Sequence, residues 1–310
     1  MKIDRRTWLA GAFGGAASLL VPSAARAQRT KTRLILLGTA GGPRPRRAPS
    51  AASQVIVIND MAYLVDCGDG VARQLTAAGI PVSRLRHIFI THQHSDHNAD
   101  YGNLLLLAWG DRLTTPVDTW GPPPLARMTK LFLELNEFDI TTRIADEGRK
   151  PLAPLLRPHE ITKPGLVMQD DNVRVTATIV PHPPIEHAFA YRFDTADRSI
   201  VISGDTAPSD SLIELARGAD VLVHEVLYAS AVARIVAAIP NAATLKKHII
   251  DSHTSVEDAG RVAQAAGVKT LVLSHFVPAD DPTITDQMWL DAARTHFRGA
   301  IIVGKDLMEI

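Results

Sequence analysis

The chain has 310 residues, 46% of them hydrophobic and 21% charged, with 33 Lys+Arg against 33 Asp+Glu. That balance excludes a disordered tail or fibrous repeat, and zero net charge supplies no global basic field for nonspecific nucleic-acid binding. A single cysteine, Cys67, excludes an intramolecular disulfide and a four-cysteine zinc knuckle, so the placement of the 12 histidines carries the chemistry.

The chain begins with Arg5-Arg6, then an apolar, Ala/Gly-rich run over 9–21, Pro22 and the small-residue site Ala25-Arg26-Ala27. Charged, apolar, then small is the layout of an export signal, and the paired arginines resemble the twin-arginine type, with a Sec signal as the alternative. The run is too short and glycine-rich to span a bilayer comfortably. The reading divides the chain into an export signal at 1–27 and one domain at 28–310, periplasmic or secreted, with no membrane span in the mature protein.

Strand and helix signals alternate along the mature chain. A strand at 34–37 runs into the turn-rich Gly38-Thr39-Ala40-Gly41-Gly42-Pro43, and an exposed basic loop follows to Ser50. Strands at 54–58 and 61–65 flank Asn59-Asp60 as a hairpin; a turn, a helix at 71–78 and a β-branched strand at 87–91 come next. Prolines punctuate 111–164, where one helix is predicted over 125–136. Strands resume at 173–180, 189–193, 199–203, 221–223, 270–273 and 301–303, with helices at 211–217 and 256–266. Two strand-dense halves interleaved with helices predict two helix-covered sheets rather than one parallel sheet.

The chemistry is concentrated in Thr91-His92-Gln93-His94-Ser95-Asp96-His97, directly after a strand. Imidazole and carboxylate are the ligands of zinc and similar divalent metals. In such a loop His92 and His94 can face one way while Asp96 and His97 turn to another, offering ligand pairs to two neighbouring ions.

This His-x-His-x-Asp-His run resembles the hallmark of the metallo-β-lactamase superfamily, and the resemblance extends over nearly the whole mature chain. It implies a four-layer αββα sandwich. Asp66 looks like the family's early aspartate, which supports a metal-binding histidine; Val180-Pro181-His182 resembles the third-histidine segment, Ser203-Gly204-Asp205-Thr206 the bridging turn and Leu273-Ser274-His275 the last histidine. The resemblance implies His92, His94 and His182 on one ion, Asp96, His97 and His275 on the other, and Asp205 bridging. His187 competes with His182 for the third position; His182 is preferred because it follows its strand directly.

Within the superfamily the chain resembles the RNase Z and arylsulfatase-like branch, through Leu37-Gly38-Thr39-Ala40-Gly41-Gly42-Pro43, Trp120-Gly121-Pro122, Ala190-Tyr191-Arg192, Val223-His224-Glu225 and His253-Thr254. That likeness implies a histidine acting near the leaving group, His253, oriented by Glu225, with Asp96 handling the proton of a water. His224 is expected to pack at a strand end, and His159 and His248 carry no pattern. The expected function is an exported metal-dependent ester hydrolase using two divalent ions, zinc first with Mn or Fe accepted by the same ligands. An aryl sulfate or phosphodiester ranks first, a lactone or other carboxylic ester is the alternative, and a β-lactamase, a tRNA 3′ processing nuclease and a non-catalytic metal-binding protein rank lower. The tRNA reading ranks low because 193–203 leaves no room for an RNA-gripping arm and because an export signal takes the chain out of the compartment that holds tRNA. The expected partner is a small anionic or ester substrate, without nucleic acid, and a homodimer is left open.

Overall fold

The computed structural model describes residues 31–239 and 241–310; the export signal read at 1–27 lies outside the described residues. The first half comprises β1 (Arg33–Gly38), β2 (Ser53–Ile58), β3 (Met61–Val65), α1 (Val71–Ala77), β4 (Leu85–Phe89), α2 (Ser95–Asn98), α3 (Tyr101–Gly110), β5 (Val117–Gly121), α4 (Leu125–Leu135), α5 (Glu137–Glu147) and β6 (Leu156–Glu160). The second comprises β7 (Gly165–Gln169), β8 (Val173–His182), β9 (Ile185–Thr195), β10 (Ser199–Ile202), α6 (Asp210–Ala216), β11 (Val221–Leu227), α7 (Val232–Ala237), α8 (Leu245–Ser252), α9 (Val256–Ala266), β12 (Thr270–Val277), α10 (Asp286–Arg294), β13 (Ala300–Val303) and β14 (Met308–Glu309).

Among the described residues the strands form two seven-stranded sheets, ordered β14-β1-β2-β3-β4-β5-β6 and β13-β12-β11-β10-β9-β8-β7. Each mixes hairpins with parallel pairs, as β3–β4 and β11–β12 show. Alternate residues of a strand face opposite ways, so each sheet buries two faces. Leu34, Ile56, Phe89, Phe189, Tyr191 and Phe193 fill the space between the sheets. Ile88, Leu104 and Trp109 pack under the helices of the first half, and Leu222, Val262 and Trp289 under those of the second. The result is the αββα sandwich that the resemblance implies.

The proline-punctuated region is more regular than its sequence pattern suggests. It holds β5, α4, α5 and β6, and the helix predicted over 125–136 ends at Leu135, with Asn136 joining it to α5. Glu137 and Asp139 in the first turn of α5 suit the positive end of its dipole, and Gly148 at φ 67° closes it. Pro158 sits in β6, an edge strand, where a missing N–H costs no ladder bond on the open side.

Candidate metal centre

The ends of β3, β4, β8, β10 and β12 converge at one rim of the sandwich, and the chain bends sharply there at three of them. Asp66 follows β3 with φ 62°, Gly204 follows β10 with φ 59°, and His275 lies within β12 with φ 46°. The β11–β12 ladder slips between Glu225/Val226, leaving His275 as the extra residue of a bulge between Ser274 and Phe276. A bulge re-aims the side chain it carries, and here it turns an imidazole out of a strand toward the rim. Gly204 has no room for a Cβ, which would stand 2.8 Å from the Phe189 carbonyl oxygen and 3.0 Å from Thr91 Cβ. Phe189 N–H donates to the Thr91 carbonyl at 2.9 Å, tying the loop after β4 to the opposite sheet.

The buried carboxylate of Asp66 accepts from Thr91 N–H at 2.8 Å and from His97 Nδ1–H at 2.7 Å. That leaves His97 Nε2 pointing inward, 3.2 Å from Asp205 Oδ1. His182 Nδ1–H donates to the Ser252 carbonyl at 2.8 Å, which turns its Nε2 to within 3.1 Å of His94 Nδ1. His92 Nε2 stands 2.9 Å from the same His94 Nδ1. Gly42 N–H donates to Asp96 Oδ2 at 2.8 Å, and His275 Nε2 lies 3.4 Å from that oxygen.

Two groups of donors result, with all ligand atoms of each within 4.8 Å of one another: His92, His94, His182 and Asp205, and Asp96, His97, Asp205 and His275. Asp205 belongs to both. All seven side chains named from the sequence therefore meet. His187 does not join them; its ring stacks toward Phe189 and its Nδ1 is buried without a hydrogen bond.

The donor chemistry fits divalent cations. Asp205 Oδ1 is buried with no hydrogen bond of acceptable geometry, although His97 Nε2 and His275 Nε2 both stand 3.2 Å away. His94 Nδ1 faces two ring nitrogens at once, and a cation shared among the three would satisfy lone pairs that the available N–H protons cannot all serve. Burial holds His92 well below its ordinary pKa and lowers His94 to about 4, so both are neutral and ready as ligands. Burial also opposes a charge on His97, yet Asp205, Asp66 and Asp96 outweigh it and hold its pKa well above the usual value. The cluster is short of positive charge, which a metal ion would supply in place of that proton.

A third group adjoins the cluster. His253 Nδ1–H shares the two oxygens of Glu225 at 3.1 Å each, and its ring stacks on His275 at 5.8 Å. Burial opposes its charge, but Glu225 raises its pKa to about 9. Glu225 Oε1 also accepts from Thr206 N–H at 2.9 Å and Thr254 N–H at 3.2 Å, so three donors fix the carboxylate. His224 is packed inside β11 with Nδ1–H donating to the Glu225 carbonyl, facing away from the cluster. His159 pairs with Asp118 and stacks on Trp120, on β5 and β6 and outside every ligand group.

The site has members that sequence reasoning passed over. His248, on α8, lies 5.8 Å from the His94 ring and 6.0 Å from that of His253, ring centre to ring centre. Its spacing of five residues from His253 was the available signal. Gly41 abuts His275, whose ring atoms would stand 2.7 Å from any Cβ there. A cleft of about 300 Å³ opens over His94, Asp96, Asp205 and His253.

Sandwich, histidine cluster and shared aspartate define a metal-dependent hydrolase acting on ester bonds, and comparison with known proteins agrees. Residues 62–276 match the Beta-lactamase superfamily domain. The chain is 36% identical over 280 residues to Ribonuclease Z of Mycobacterium bovis (strain BCG / Pasteur 1173P2), covering 89% of this chain and 97% of that protein. It is 35% identical over 280 residues to Ribonuclease Z of Mycobacterium tuberculosis (strain ATCC 25618 / H37Rv), with the same coverage. The crystal structure of human tRNase Z, short form, shares the fold at TM-score 0.65 and 22% identity, covering 90% of this chain and 98% of that one. The metallo-beta-lactamase fold protein YhfI from Bacillus subtilis does so at TM-score 0.66 and 19% identity, with 90% and 98% covered. The chain belongs to the metallo-β-lactamase superfamily, in its RNase Z-like branch.

These relatives correct two expectations. The sequence alone ranks an aryl sulfate or a phosphodiester first, with a carboxylic ester as the alternative. It places a tRNA 3′ processing nuclease lower and expects no nucleic-acid partner, because 193–203 is too short for an RNA-gripping arm and an export signal separates the chain from tRNA. The matched span is 89% of this chain and 97% of the Mycobacterium bovis Ribonuclease Z, so that ribonuclease carries no large net insertion either. A short β9–β10 turn is therefore no sign against an RNA substrate. Overall neutrality fails as a sign as well, because charge near one cleft, rather than summed over the chain, governs what binds there.

Proposed function

We propose that this chain is a dinuclear zinc phosphodiesterase that cleaves RNA, with a precursor tRNA bearing a 3′ trailer as the first substrate to test. The observation carrying the proposal is a single carboxylate, Asp205, shared by two ligand clusters beside an acid–base pair, in a chain 36% identical to Ribonuclease Z over 280 residues.

His92, His94 and His182 would hold one ion, Asp96, His97 and His275 the other, with Asp205 between them. Divalent ions held here supply Lewis acidity and lower the pKa of water toward neutrality. The remaining steps belong to the protein. Asp66 and Thr91 keep His97 in one tautomer and one orientation, as hydrogen-bond partners of ligands do. Asp96, anchored through one oxygen by Gly42 N–H, orients the attacking water and takes its proton as the new P–O bond forms. His253 has Nδ1 committed to Glu225, so its Nε2 serves the cleft and donates a proton to the alcohol oxygen that leaves as the old P–O bond breaks.

The test is incubation of the zinc-loaded protein with precursor tRNA and with an unstructured RNA of equal length. Cleavage of the precursor, lost in Asp205→Ala, is expected; an intact precursor in the presence of two bound metal equivalents overturns the proposal. The run read at 1–27 argues for export of one mature domain, 28–310, to the periplasm, in which case precursor tRNA is the in vitro probe of the chemistry and the RNA met outside the cytoplasm is a different one. Cell fractionation with mass spectrometry checks this: a periplasmic chain starting at Gln28 is expected, and a cytoplasmic chain retaining Met1 sinks it.

A further inference from the structure

The cleft beside the metal cluster has two unlike walls. Arg44 and Arg46 lie on one side, in the loop after β1. Arg46 is spent on the loop itself, donating to the carbonyls of Gly41, Gly42 and Arg44, whereas Arg44 is exposed and pairs with Asp280 at 2.9 Å. The other side is aliphatic: Ile235, Ile239, Leu245 and Ile249, with Val277 beneath. α7, α8 and their connection form this side, the segment between Glu225 and His253. Ile235, Ile239 and Leu245 are only half-buried, so they offer apolar surface to whatever enters rather than closing a core. They stand on a small cluster of Leu227, Val232, Ile249 and Val277, which holds the wall in place. Its inner end meets His248 and then His94 and His253.

A cleft built for sugar-phosphate alone would be lined by cations and hydrogen-bond donors. Apart from His248 at its inner end this wall presents neither, and an apolar surface favours an uncharged group that sheds water on contact. We propose that Ile235, Ile239 and Leu245 form a subsite for the nucleobase of a residue flanking the scissile phosphate, bound by its face and without reading its identity. Such contact tolerates any base, because every base has an apolar face. The inference rests on the phosphodiesterase reading and adds to it which part of the substrate meets which wall.

The test compares RNA cleavage with that of the same RNA carrying abasic residues on both sides of the scissile bond, using the zinc-loaded full chain. A KM about tenfold higher for the abasic substrate is expected in the wild type. That ratio should fall toward one in Ile239→Ser and, separately, in Leu245→Ser, two half-exposed positions whose folding is checked by circular dichroism. Equal KM for the two RNAs in the wild type overturns the subsite while leaving the RNA nuclease reading intact. An unchanged ratio in both folded variants overturns it too. If no RNA is cut, the nuclease reading fails, and the subsite is judged on bis(4-nitrophenyl) phosphate against methyl 4-nitrophenyl phosphate. There a wild-type preference for the diaryl ester, narrowed in both variants, supports it, and no preference overturns it.

Discussion

At the scale of single residues, the site depends on which nitrogen each imidazole presents. His182 spends Nδ1 on the Ser252 carbonyl and His97 spends Nδ1 on Asp66, so both offer Nε2 inward. His187 has neither the position nor the partner. His182→Ala should reduce bound metal from two equivalents toward one, while His187→Ala keeps both, as read by elemental analysis of the dialysed protein. Equal loss in the two variants would contradict the ligand assignment. His253 differs again, because it adjoins the cluster without belonging to either ligand group that shares Asp205. Its replacement by Ala should lower kcat about 10²–10⁴-fold with metal content and KM nearly unchanged, the range for losing a positioned acid. Glu225→Gln should fall in the same direction by less, since the amide still accepts one bond but no longer favours the imidazolium.

At the scale of elements, the ligands are delivered by strand ends whose backbone leaves the ordinary β region. Asp66, Gly204 and His275 all have positive φ, and for Asp66 and His275 this carries a steric cost that glycine avoids. Strain of this kind persists where neighbours over-determine it, and here the β11–β12 bulge, Thr91 and Phe189 do so. Gly204→Ala should destabilise the fold by about 1–3 kcal/mol, lowering Tm by about 2 °C or more. A thermal melt checks it, and an unchanged Tm would mean that the turn relaxes freely. The α7–α8 segment behaves differently: it covers the cleft rather than the sheets, with half-buried aliphatic residues facing the metal end.

At the scale of the whole molecule, the two sheets do more than make a core. Their inner faces bring β4 of one sheet and β8, β10 and β12 of the other to a common rim, so ligands 183 residues apart in sequence, from His92 to His275, share one carboxylate. Both ligand groups exist only in the folded chain, because each draws on segments from both sheets. Metal binding is therefore linked to folding, and chelation should lower Tm. A free metal concentration one hundred times its Kd contributes about 2.7 kcal/mol, which the chelated protein forfeits. Calorimetry with and without chelator measures this, and coincident melts would mean that the ions add nothing to the folded state.

Much of this was legible in the sequence because the informative features are local. His92, His94, Asp96 and His97 lie within six consecutive positions after a strand, and a short-range pattern survives without knowledge of the fold. The strands were read in the same way, since alternation and β-branching act over a few residues. His248 is marked only by its five-residue spacing from His253, a weak signal; Pro158 inside β6 hides that strand, whereas α5 contains no proline and is masked only by the proline-punctuated stretches on either side of it. The substrate ranking goes astray for a related reason: it relies on a missing segment, an overall charge and a leader sequence, none of which describes a surface. Which histidine of His182 and His187 turns inward, and which wall faces the metals, depend on contacts between residues far apart in the chain. Such contacts exist only after the sheets have packed, so composition and spacing could name the ligands but only the tertiary structure could aim them.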